Sequence, residues 1–249
     1  MKNLLIKIDK AQAKINENRP FTRELNQQLK EYFRIGFTFA SNALEGNSLT
    51  ISETKVILED GLTIAGKPLK DYYEATGHSE AFDYMYDLIE GKKITEEYIK
   101  KLHSFFYQRI KKDEAGVYRK QPAIITGSQY PLPKPNDISN LMKNFENKIS
   151  LFKKEHPIIY AAIIHKELVF IHPFVDGNGR VARLLMNLAL LQTGYTIAII
   201  PPFKRAEYIM TLEKAHLNDK DFIKLIASCL YETQKDLLRI LNGEVNIGE

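Results

Sequence analysis

The chain has 249 residues, of which 44% are hydrophobic and 27% charged, so it can bury the core of one globular domain, with or without an added lobe. Its net charge of +4 is small and its lysines are scattered, which argues against a nucleic-acid-binding face. The single cysteine, Cys229, excludes an internal disulfide and a cysteine-based zinc cluster, and its apolar neighbours predict a buried thiol.

The sequence shows no sign of a membrane segment. No apolar run reaches the ~18 residues that span a bilayer, and the apolar patch in residues 1–10 is too short for the core of a signal peptide. We therefore expect a cytoplasmic protein without membrane contact, with export to a host cell left open.

The first strong helical pattern covers about residues 22–46, where apolar residues recur every three or four positions. Glu45 falls at the end of this helix, and Gly46 suits the left-handed residue that follows a helix. Thr50 and Glu53 then have the spacing of a capping box, which begins a helix that should stop near Gly61.

The remaining chain is also mostly helical. Helices are predicted at about residues 69–88, 95–110, 137–153, 157–170, 179–192, 205–216 and 219–241. The fold class is therefore all-α. We expect residues 1–60 to form an N-terminal helical region, residues 61–242 the main domain and residues 243–249 a frayed tail.

One segment, residues 119–135, is not helical. Its apolar run from Ala123 to Thr126 is followed by Gly127, Ser128 and three prolines, which exclude a helix. We expect a short strand pair or an extended flap, and we call residues 119–135 the flap.

The stretch IHPFVDGNGRVAR, residues 171–183, carries the strongest chemical signal. Gly177 and Gly179 allow backbone N–H groups to approach an anion closely, and the helix that follows points its positive end to the same place. Arg180 and Arg183 are three residues apart and therefore neighbours on that helix. Two guanidiniums at a glycine-rich helix start predict a site for a polyphosphate.

Two further side chains complete this pattern. Asp176 adds the hard oxygen ligand that Mg²⁺ on a polyphosphate prefers. His172 precedes the loop, and the pKa range of histidine suits a general base near neutral pH. The stretch therefore predicts chemistry on a bound polyphosphate.

Other interpretations of this stretch fit less well. A Walker A loop needs GxxxxGK[ST], which is absent, and a Rossmann fingerprint needs a preceding strand and a third glycine. A calcium loop needs Glu at its twelfth position, where this chain has Asn187. The plain alternative is a helix N-terminus with solvated arginines, which explains single residues better than the whole string.

The string HPFVDGNGRVAR is similar to the signature of the Fic family, HxFx(D/E)GNGRxxR, at every specified position. The resemblance extends to residues 116–119 and 124–135, which are similar to the start and body of the family's flap, and to the helical core from 156 to 195. It implies an all-α Fic-type catalytic domain at residues 61–242, with a short β-hairpin flap over the active site.

For the loop, the resemblance implies a nucleotidyltransferase site. His172 would take the proton of a Ser, Thr or Tyr hydroxyl of the target. Asp176 would hold Mg²⁺ between the α- and β-phosphates of ATP. Asn178 and the backbone at Gly177 and Gly179 would cradle the α-phosphate.

Further nucleotide contacts follow from the same resemblance. Arg180 and Arg183 would grip the β- and γ-phosphates. Tyr208 falls where the family often has an aromatic residue near the nucleoside, and His216 where many members have an asparagine near the adenine. The flap would add a strand to an extended target segment. Its residues beside the nucleotide would be Ile124, Ile125, Thr126 and Gly127.

Residues 41–47, SNALEGN, resemble the family's inhibitory motif (S/T)xxxE(G/N), which marks the subclass with an N-terminal inhibitory helix. Ser41 and Glu45 are four residues apart and share a helix face. A carboxylate at a helix C-terminus is unfavourable unless a cation pairs with it, and Arg183 is the candidate partner. That pair would occupy the group that should bind the γ-phosphate. The alternative is that Glu45 is an exposed helix-end carboxylate.

The resemblance therefore implies an autoinhibited protein adenylyltransferase that uses ATP and Mg²⁺ to transfer AMP to a hydroxyl of a target protein. Removal of AMP and modification of the chain itself are left open. Two alternatives also stay open: transfer of another phosphate-containing group on the same fold, and a regulatory or toxin module. The sequence does not give the target or the oligomeric state, and a homo-oligomer is one of the options.

Overall fold

The structure, a computed structural model, describes residues 1–91 and 93–244 of the chain. Within these residues the chain forms ten α-helices and no β-strand, which confirms the all-α prediction. The helices are α1 (Lys2–Glu17), α2 (Arg23–Ala43), α3 (Ile51–Asp60), α4 (Leu69–Tyr86), α5 (Glu96–Tyr107), α6 (Ile138–Phe152), α7 (Pro157–Ile171), α8 (Asn178–Gln192), α9 (Arg205–Lys214) and α10 (Lys220–Leu241).

Helix α3 begins and ends as its local sequence predicts. The Thr50 hydroxyl accepts a hydrogen bond from the Glu53 N–H at 3.2 Å, and Glu53 Oε2 accepts one from the Thr50 N–H at 2.7 Å. This reciprocal pair is the predicted capping box. The helix ends at Asp60, and Gly61 follows in the left-handed conformation with φ = 68°.

The two N-terminal helices differ in part from the prediction. Helix α2 ends at Ala43, so Glu45 lies in the turn beyond the helix, and Gly46 follows with φ = 95°. Helix α1 is missing from the predicted helices, although its apolar residues recur at helical spacing. It packs along α10 and buries Ile8 and Ile15 completely.

Helix α8 lies at the centre of the fold. Every residue from Asn178 to Leu190 except Gly179 is buried, and α8 packs mainly on α7 while α2, α4 and α5 cover its other sides. Arg180 and Arg183 are only 2% and 1% exposed, so the alternative with solvated arginines is wrong. Buried guanidiniums need anions or carbonyl groups around them, and those partners define the site.

The flap corrects one part of the prediction, because no β-hairpin forms in it. All of residues 119–135 are described, and none of them is in a strand. The segment turns where the Ser128 N–H donates to the Ile125 carbonyl at 3.1 Å, next to Gly127 with φ = 87°. Prolines 122, 131 and 133 lack the N–H donors that a ladder requires. The flap is therefore an irregular loop that contains a turn.

One hydrophobic core contains residues from both predicted regions, residues 1–60 and residues 61–242. It contains Ile8 and Phe37 from the N-terminal region together with Leu184 and Leu230 from the main domain. The division after residue 60 stays a prediction. Of the predicted frayed tail, residues 245–249 lie outside the described residues.

Two expectations from composition can be checked directly. Cys229 is 2% exposed, which confirms the predicted buried thiol. Across residues 1–91 and 93–244, no helix has the length and apolar character needed to cross a membrane.

Candidate active site

His172 follows helix α7 in a conformation that is unusual for a residue with a side chain. Its φ and ψ are 49° and 58°, and no other non-glycine residue in the described chain has a positive φ. Such backbone strain concentrates at functional sites. The His172 N–H still donates to the Leu168 carbonyl at 3.0 Å. This helical bond fixes the backbone of His172 to the end of α7, just before the loop.

The surroundings of His172 favour the neutral imidazole. Burial lowers its pKa from the ordinary value of 6.5, and the guanidinium of Arg119 adds to that effect. The backbone of Val169, Glu45 and Asp176 act in the opposite direction, but the net shift is downward. The neutral imidazole is the form that can accept a proton as a general base.

The loop between α7 and α8 is held from inside by Phe174 and Asn178. Phe174 is fully buried and stacks on the ring of His103, with centroids 3.8 Å apart and planes at 6°. The Asn178 side chain accepts from the Phe174 N–H and donates to the Phe174 carbonyl, both at 2.9 Å. The amide group of Asn178 therefore shapes the loop in this structure.

His103 fixes the same loop from helix α5. Its Nε2–H donates to the Asp176 carbonyl at 3.1 Å, and its Nδ1 accepts from the Gly116 N–H at 2.8 Å. This pair of bonds requires the neutral ring with its proton on Nε2. Burial lowers the pKa of His103 to about 4, so the arrangement persists at neutral pH. His103 thus joins the loop to the chain that leads into the flap.

The loop turns sharply at Gly177, whose φ is 78°. A Cβ atom there would lie 2.9 Å from the Phe106 ring, so the position needs glycine for space as well as conformation. The Gly177 N–H donates to Asp176 Oδ1 at 2.6 Å, and Arg180 Nη2 lies 3.1 Å from the same oxygen. The protein therefore orients one oxygen of the Asp176 carboxylate.

Arg180 is bound by a second carboxylate, Glu74, that the sequence analysis does not identify. Arg180 Nη1 lies 2.8 Å from Glu74 Oε1, and the two side chains are 2% and 6% exposed. The guanidinium carbon lies 4.1 Å from the centroid of the Phe106 ring. Asn47 Nδ2 donates to Glu74 Oε2 at 3.0 Å, so Glu74 connects Arg180 to the segment that follows Glu45.

Arg183 has a partner for each guanidinium nitrogen. Its Nε donates to Ser41 Oγ at 2.9 Å, and its Nη2 donates to the Ser41 carbonyl and to Glu45 Oε1, each at 2.8 Å. Its Nη1 donates to the Tyr208 hydroxyl at 3.2 Å, which in turn donates to His165 Nε2 at 2.9 Å. Ser41 and Glu45, which are predicted to be inhibitory, therefore both bind Arg183, the arginine predicted to bind phosphate.

The Glu45 carboxylate lies over the first turn of α8. A Cβ atom added at Gly179 would run into Glu45 Oε1 and would lie 3.1 Å from Arg183 Nη1. Burial alone would raise the pKa of Glu45, but Arg183 and Arg180 outweigh that effect, and the pKa falls below its ordinary value of 4.5. An ionised carboxylate thus occupies the positive end of the helix, where the sequence predicts a phosphate.

The flap residues predicted to contact nucleotide take no part in this network of polar contacts. All four are exposed, and among the described residues no hydrogen bond or ion pair joins their side chains to the loop or to α8. Their nucleotide contacts stay a prediction for Ile124, Ile125, Thr126 and Gly127.

The two predicted nucleoside contacts lie in different surroundings. Tyr208 is 6% exposed and serves as a buried partner of Arg183. His216 lies between the rings of Phe170 and Tyr130, with centroids 3.7 Å and 3.9 Å away. Both faces of the imidazole are covered, so any contact of His216 with a base would use the edge of its ring.

Glu213 fastens the far part of the flap to helix α9. Its carboxylate accepts from Ser128 Oγ at 3.0 Å and from the Gln129 N–H at 2.8 Å. Tyr130, which stacks on His216, follows directly. The flap is therefore tied to the helix that also carries Tyr208.

Four residues of this site were missed by sequence reasoning: Glu74, His103, Arg119 and Glu213. Each acts through partners that are distant in sequence, such as the Glu213 contact with Ser128, 85 positions away. The string Gly116 to Arg119 indicates the start of a flap but not which groups its arginine binds. For the other three the available local signal is a polar residue on a helix, which is too common to single out.

Magnesium fits this loop through one side chain. The described residues contain no group of three or more His, Cys, Asp or Glu gathered for a metal. Asp176 is 43% exposed, and no hydrogen bond in the described part of the chain involves its Oδ2. One carboxylate oxygen together with phosphate oxygens and water is a typical ligand set for Mg²⁺.

Comparison with known sequences places this site in a family. Residues 93–190 match the family model of the Fic/DOC family. The protein adenylyltransferase Fic of Drosophila grimshawi is 33% identical over 234 residues, which cover 92% of this chain and 48% of that protein. The protein of the same name from Drosophila mojavensis is 36% identical over 199 residues, 78% of this chain and 39% of that protein. The chain thus spans about half the length, or less, of these curated relatives.

Solved structures show the same architecture. A segment of Fic-1 from C. elegans superposes with a TM-score of 0.86 at 26% identity, covering 98% of this chain and 73% of that one. A Fic domain containing signaling protein from Bacteroides thetaiotaomicron VPI-5482 gives a TM-score of 0.87 at 26% identity, covering 96% and 99%. With its signature loop, its helical architecture and these relatives, the chain carries a Fic/DOC family domain, matched over residues 93–190.

Proposed function

We propose that this chain transfers AMP from ATP to a hydroxyl group of a protein and that Glu45 holds it in an inhibited state. The observation that carries the proposal is the carboxylate of Glu45, which lies over Gly179 and pairs with Arg183 at 2.8 Å. A helix N-terminus and a guanidinium bind a carboxylate and a phosphate in the same way. The internal anion therefore marks a place for a phosphate, and two of the relatives described above are named protein adenylyltransferases.

The start of α8 supplies the lining that a triphosphate needs. The first N–H groups of an α-helix have no partner within the helix, and here they lie beside Arg180 and Arg183. Asp176, oriented by the Gly177 N–H, would hold Mg²⁺, which would neutralise phosphate charge when bound. Asn178 supports this lining indirectly, because its amide group holds the loop at Phe174.

His172 is the residue that we assign as general base. Its neutral imidazole would take the proton of a Ser, Thr or Tyr hydroxyl as the hydroxyl oxygen bonds to the α-phosphorus of ATP. The bond from that phosphorus to the oxygen shared with the β-phosphate would break, and pyrophosphate would leave. Positioning and charge stabilisation then account for most of the rate.

The flap is the part of the molecule that we assign to the target. Ile124 is 93% exposed, and within the described residues the chain around it is not paired with a strand. An extended target segment can bind such a chain through main-chain hydrogen bonds. We assign the nucleoside to the neighbourhood of the flap, Tyr208 and His216.

Inhibition follows from competition for Arg183. While Glu45 holds the guanidinium, the γ-phosphate lacks its partner, and ATP binds with its phosphates displaced from the reacting position. Release of Arg183 would improve the orientation of ATP more than its affinity. Three further predictions remain alongside this proposal: a cytoplasmic location, a homo-oligomer and removal of AMP by the same site.

The position of a radioactive label tests the reaction. The Glu45→Gly variant should label itself or lysate proteins from α-labelled ATP and not from γ-labelled ATP, and a Glu45→Gly, His172→Ala double variant should label neither. Label from γ-labelled ATP would mean phosphorylation instead. Absence of label from either, with ATP bound, would favour the non-catalytic regulatory module.

A further inference from the structure

Arg119 is a buried arginine at the start of the flap that contacts three separate parts of the chain. Its Nε donates to the His172 carbonyl at 2.8 Å, its Nη1 to the Gln121 carbonyl at 3.0 Å and its Nη2 to the Pro133 carbonyl at 2.7 Å. Its backbone N–H donates to the Pro173 carbonyl at 2.9 Å. One side chain thus binds both ends of the flap and the backbone of His172.

The partners of Arg119 set it apart from other arginines of the site. It is 3% exposed, yet no carboxylate in the described chain lies within ion-pair distance of it. Arg180 and Arg183 each pair with an acidic side chain. A buried guanidinium is costly, and here only carbonyl groups compensate it. The planar guanidinium of an arginine presents its N–H donors in a fixed geometry, so it can hold several backbone segments in one arrangement.

The bond to His172 falls at the strained point of the backbone. His172 has φ = 49° and needs support from its neighbours to stay in that conformation. Nε of Arg119 supports it through the carbonyl, and the Arg119 N–H supports the next residue, Pro173. His103 adds a second tie, because it links Gly116, just before the flap, to the Asp176 carbonyl.

We propose that Arg119 is a positioning residue that closes the base of the flap and fastens it to the backbone of His172. The flap and the imidazole then move as one unit, so a target segment bound along the flap presents its hydroxyl at a fixed distance from the imidazole. The catalytic role that we give Arg119 rests on the proposed function, whereas its contacts with the flap and with His172 do not. A hydroxyl displaced by about 1 Å from the base costs on the order of a hundredfold in rate.

The experiment uses Arg119→Lys, which keeps the charge but has a single ammonium that cannot reach three carbonyl groups. Arg109→Lys is the matched control, because Arg109 precedes Arg119 by ten positions but pairs with Glu80, and both of those side chains are 38% exposed. We expect Arg119→Lys to raise the rate of tryptic cleavage at residues 119–120 and of amide exchange across the flap by about tenfold or more, with the melting temperature nearly unchanged. Arg109→Lys should match the wild type in both measurements.

A second measurement needs no variant and covers the case in which Arg119→Lys does not fold. In the wild-type protein the Nε–H of Arg119 should give a slowly exchanging NMR resonance, because it is buried and bonded to the His172 carbonyl. Fast exchange of that proton, or flap cleavage and exchange that are unchanged in a folded Arg119→Lys protein, would overturn the proposal.

The link to catalysis is measured separately in the Glu45→Gly background. Arg119→Lys should lower kcat by about tenfold or more while leaving the KM for ATP near its original value. Equal changes of kcat and of the KM for ATP would mean that Arg119 only maintains the fold, and would overturn the positioning role. If no nucleotide is transferred by any variant, the proposed function fails, while the flap measurements still decide the geometric proposal.

Discussion

Arg183 Nη2 and Glu45 Oε1 lie 2.8 Å apart across 138 positions of sequence, and the two side chains are very unequally exposed. The Arg183 side chain is 1% exposed, whereas the Glu45 side chain is 36% exposed. Ser41 and Tyr208 also bind the Arg183 side chain, so it has partners besides Glu45. We therefore expect that an anion arriving from solvent can replace the Glu45 carboxylate without unfolding of the site.

Replacing Glu45 by Gly should raise the rate of AMP transfer by about tenfold or more, because the freed Arg183 can orient the γ-phosphate. Steady-state labelling from α-labelled ATP gives the rate. The Glu45→Gly, Arg183→Ala double variant should lose the gain. Glu59→Gln, on exposed α3, is the control and should behave as wild type. Because release of AMP from a modified target can also depend on Glu45, that release is followed in parallel. No change in either rate would rule out an inhibitory role.

Replacing His172 should abolish transfer while ATP still binds. Loss of a general base costs ~10²–10⁴-fold in rate. The left-handed backbone at this residue complicates Ala, so His172→Asn is the better variant, since Asn tolerates that conformation. Transfer and ATP binding are measured on both variants. A His172→Asn protein that labels at the rate of its parent would remove His172 from the mechanism.

Activity should depend on a divalent metal held at Asp176. Asp176→Asn keeps an oxygen that can accept from the Gly177 N–H and Arg180 but loses the charge. We expect it to lose at least about tenfold in transfer under Mg²⁺, and we expect excess EDTA to silence the wild type. Asp113→Asn, on the surface before the flap, is the control. Full transfer in EDTA would contradict a metal requirement.

The Glu45–Arg183 pair should make the stability depend on acid pH. The folded pKa of Glu45 lies below its ordinary value of 4.5, so the carboxylate stabilises the fold above that pH and loses its effect as the pH falls through the folded pKa. Thermal melts between about pH 7 and 3 should show wild type a few degrees above Glu45→Gln at neutral pH. The gap should close in acid. A gap that stays constant would mean that the pair adds no pH-dependent stability.

Replacing Glu74 by Gln should weaken ATP use through Arg180. The change leaves a buried guanidinium with Asp176 as its remaining carboxylate, so its orientation and the local stability both suffer. In the Glu45→Gly background we expect the KM for ATP to rise by about tenfold, since the guanidinium that we assign to the β-phosphate would be misplaced. Glu80→Gln, on the same helix but exposed, is the control. An unchanged KM would restrict Glu74 to a structural role.

The sequence predicts those parts of the structure that depend on a few neighbouring residues or on a recognised motif. The capping box of α3 depends on Thr50 and Glu53 alone, and it forms as predicted. The meeting of Ser41, Glu45 and Arg183 follows from a motif spacing combined with a helix-end argument, and the structure brings the three together. These inferences need little information about the rest of the chain.

Other parts depend on contacts that no short pattern encodes. The partners of Arg119 are backbone carbonyls, which every residue carries, so nothing in the sequence points to them. Glu74 meets Arg180 only because α4 packs on α8. The hairpin fails for a different reason: the short apolar run from Ala123 to Thr126 and the family resemblance favour paired strands, but the prolines of the flap lack the N–H donors that paired strands share.

The burial of Cys229 has a practical consequence for following the flap. Burial raises the pKa of its thiol to about 12, so little reactive thiolate is present at neutral pH. Maleimide reagents will leave that sulfur untouched on the time scale of a labelling reaction. A cysteine placed at Ile124, which is 93% exposed, would therefore carry a fluorophore or spin label without competing background. One added cysteine is then enough to test whether the flap changes its conformation when ATP is added.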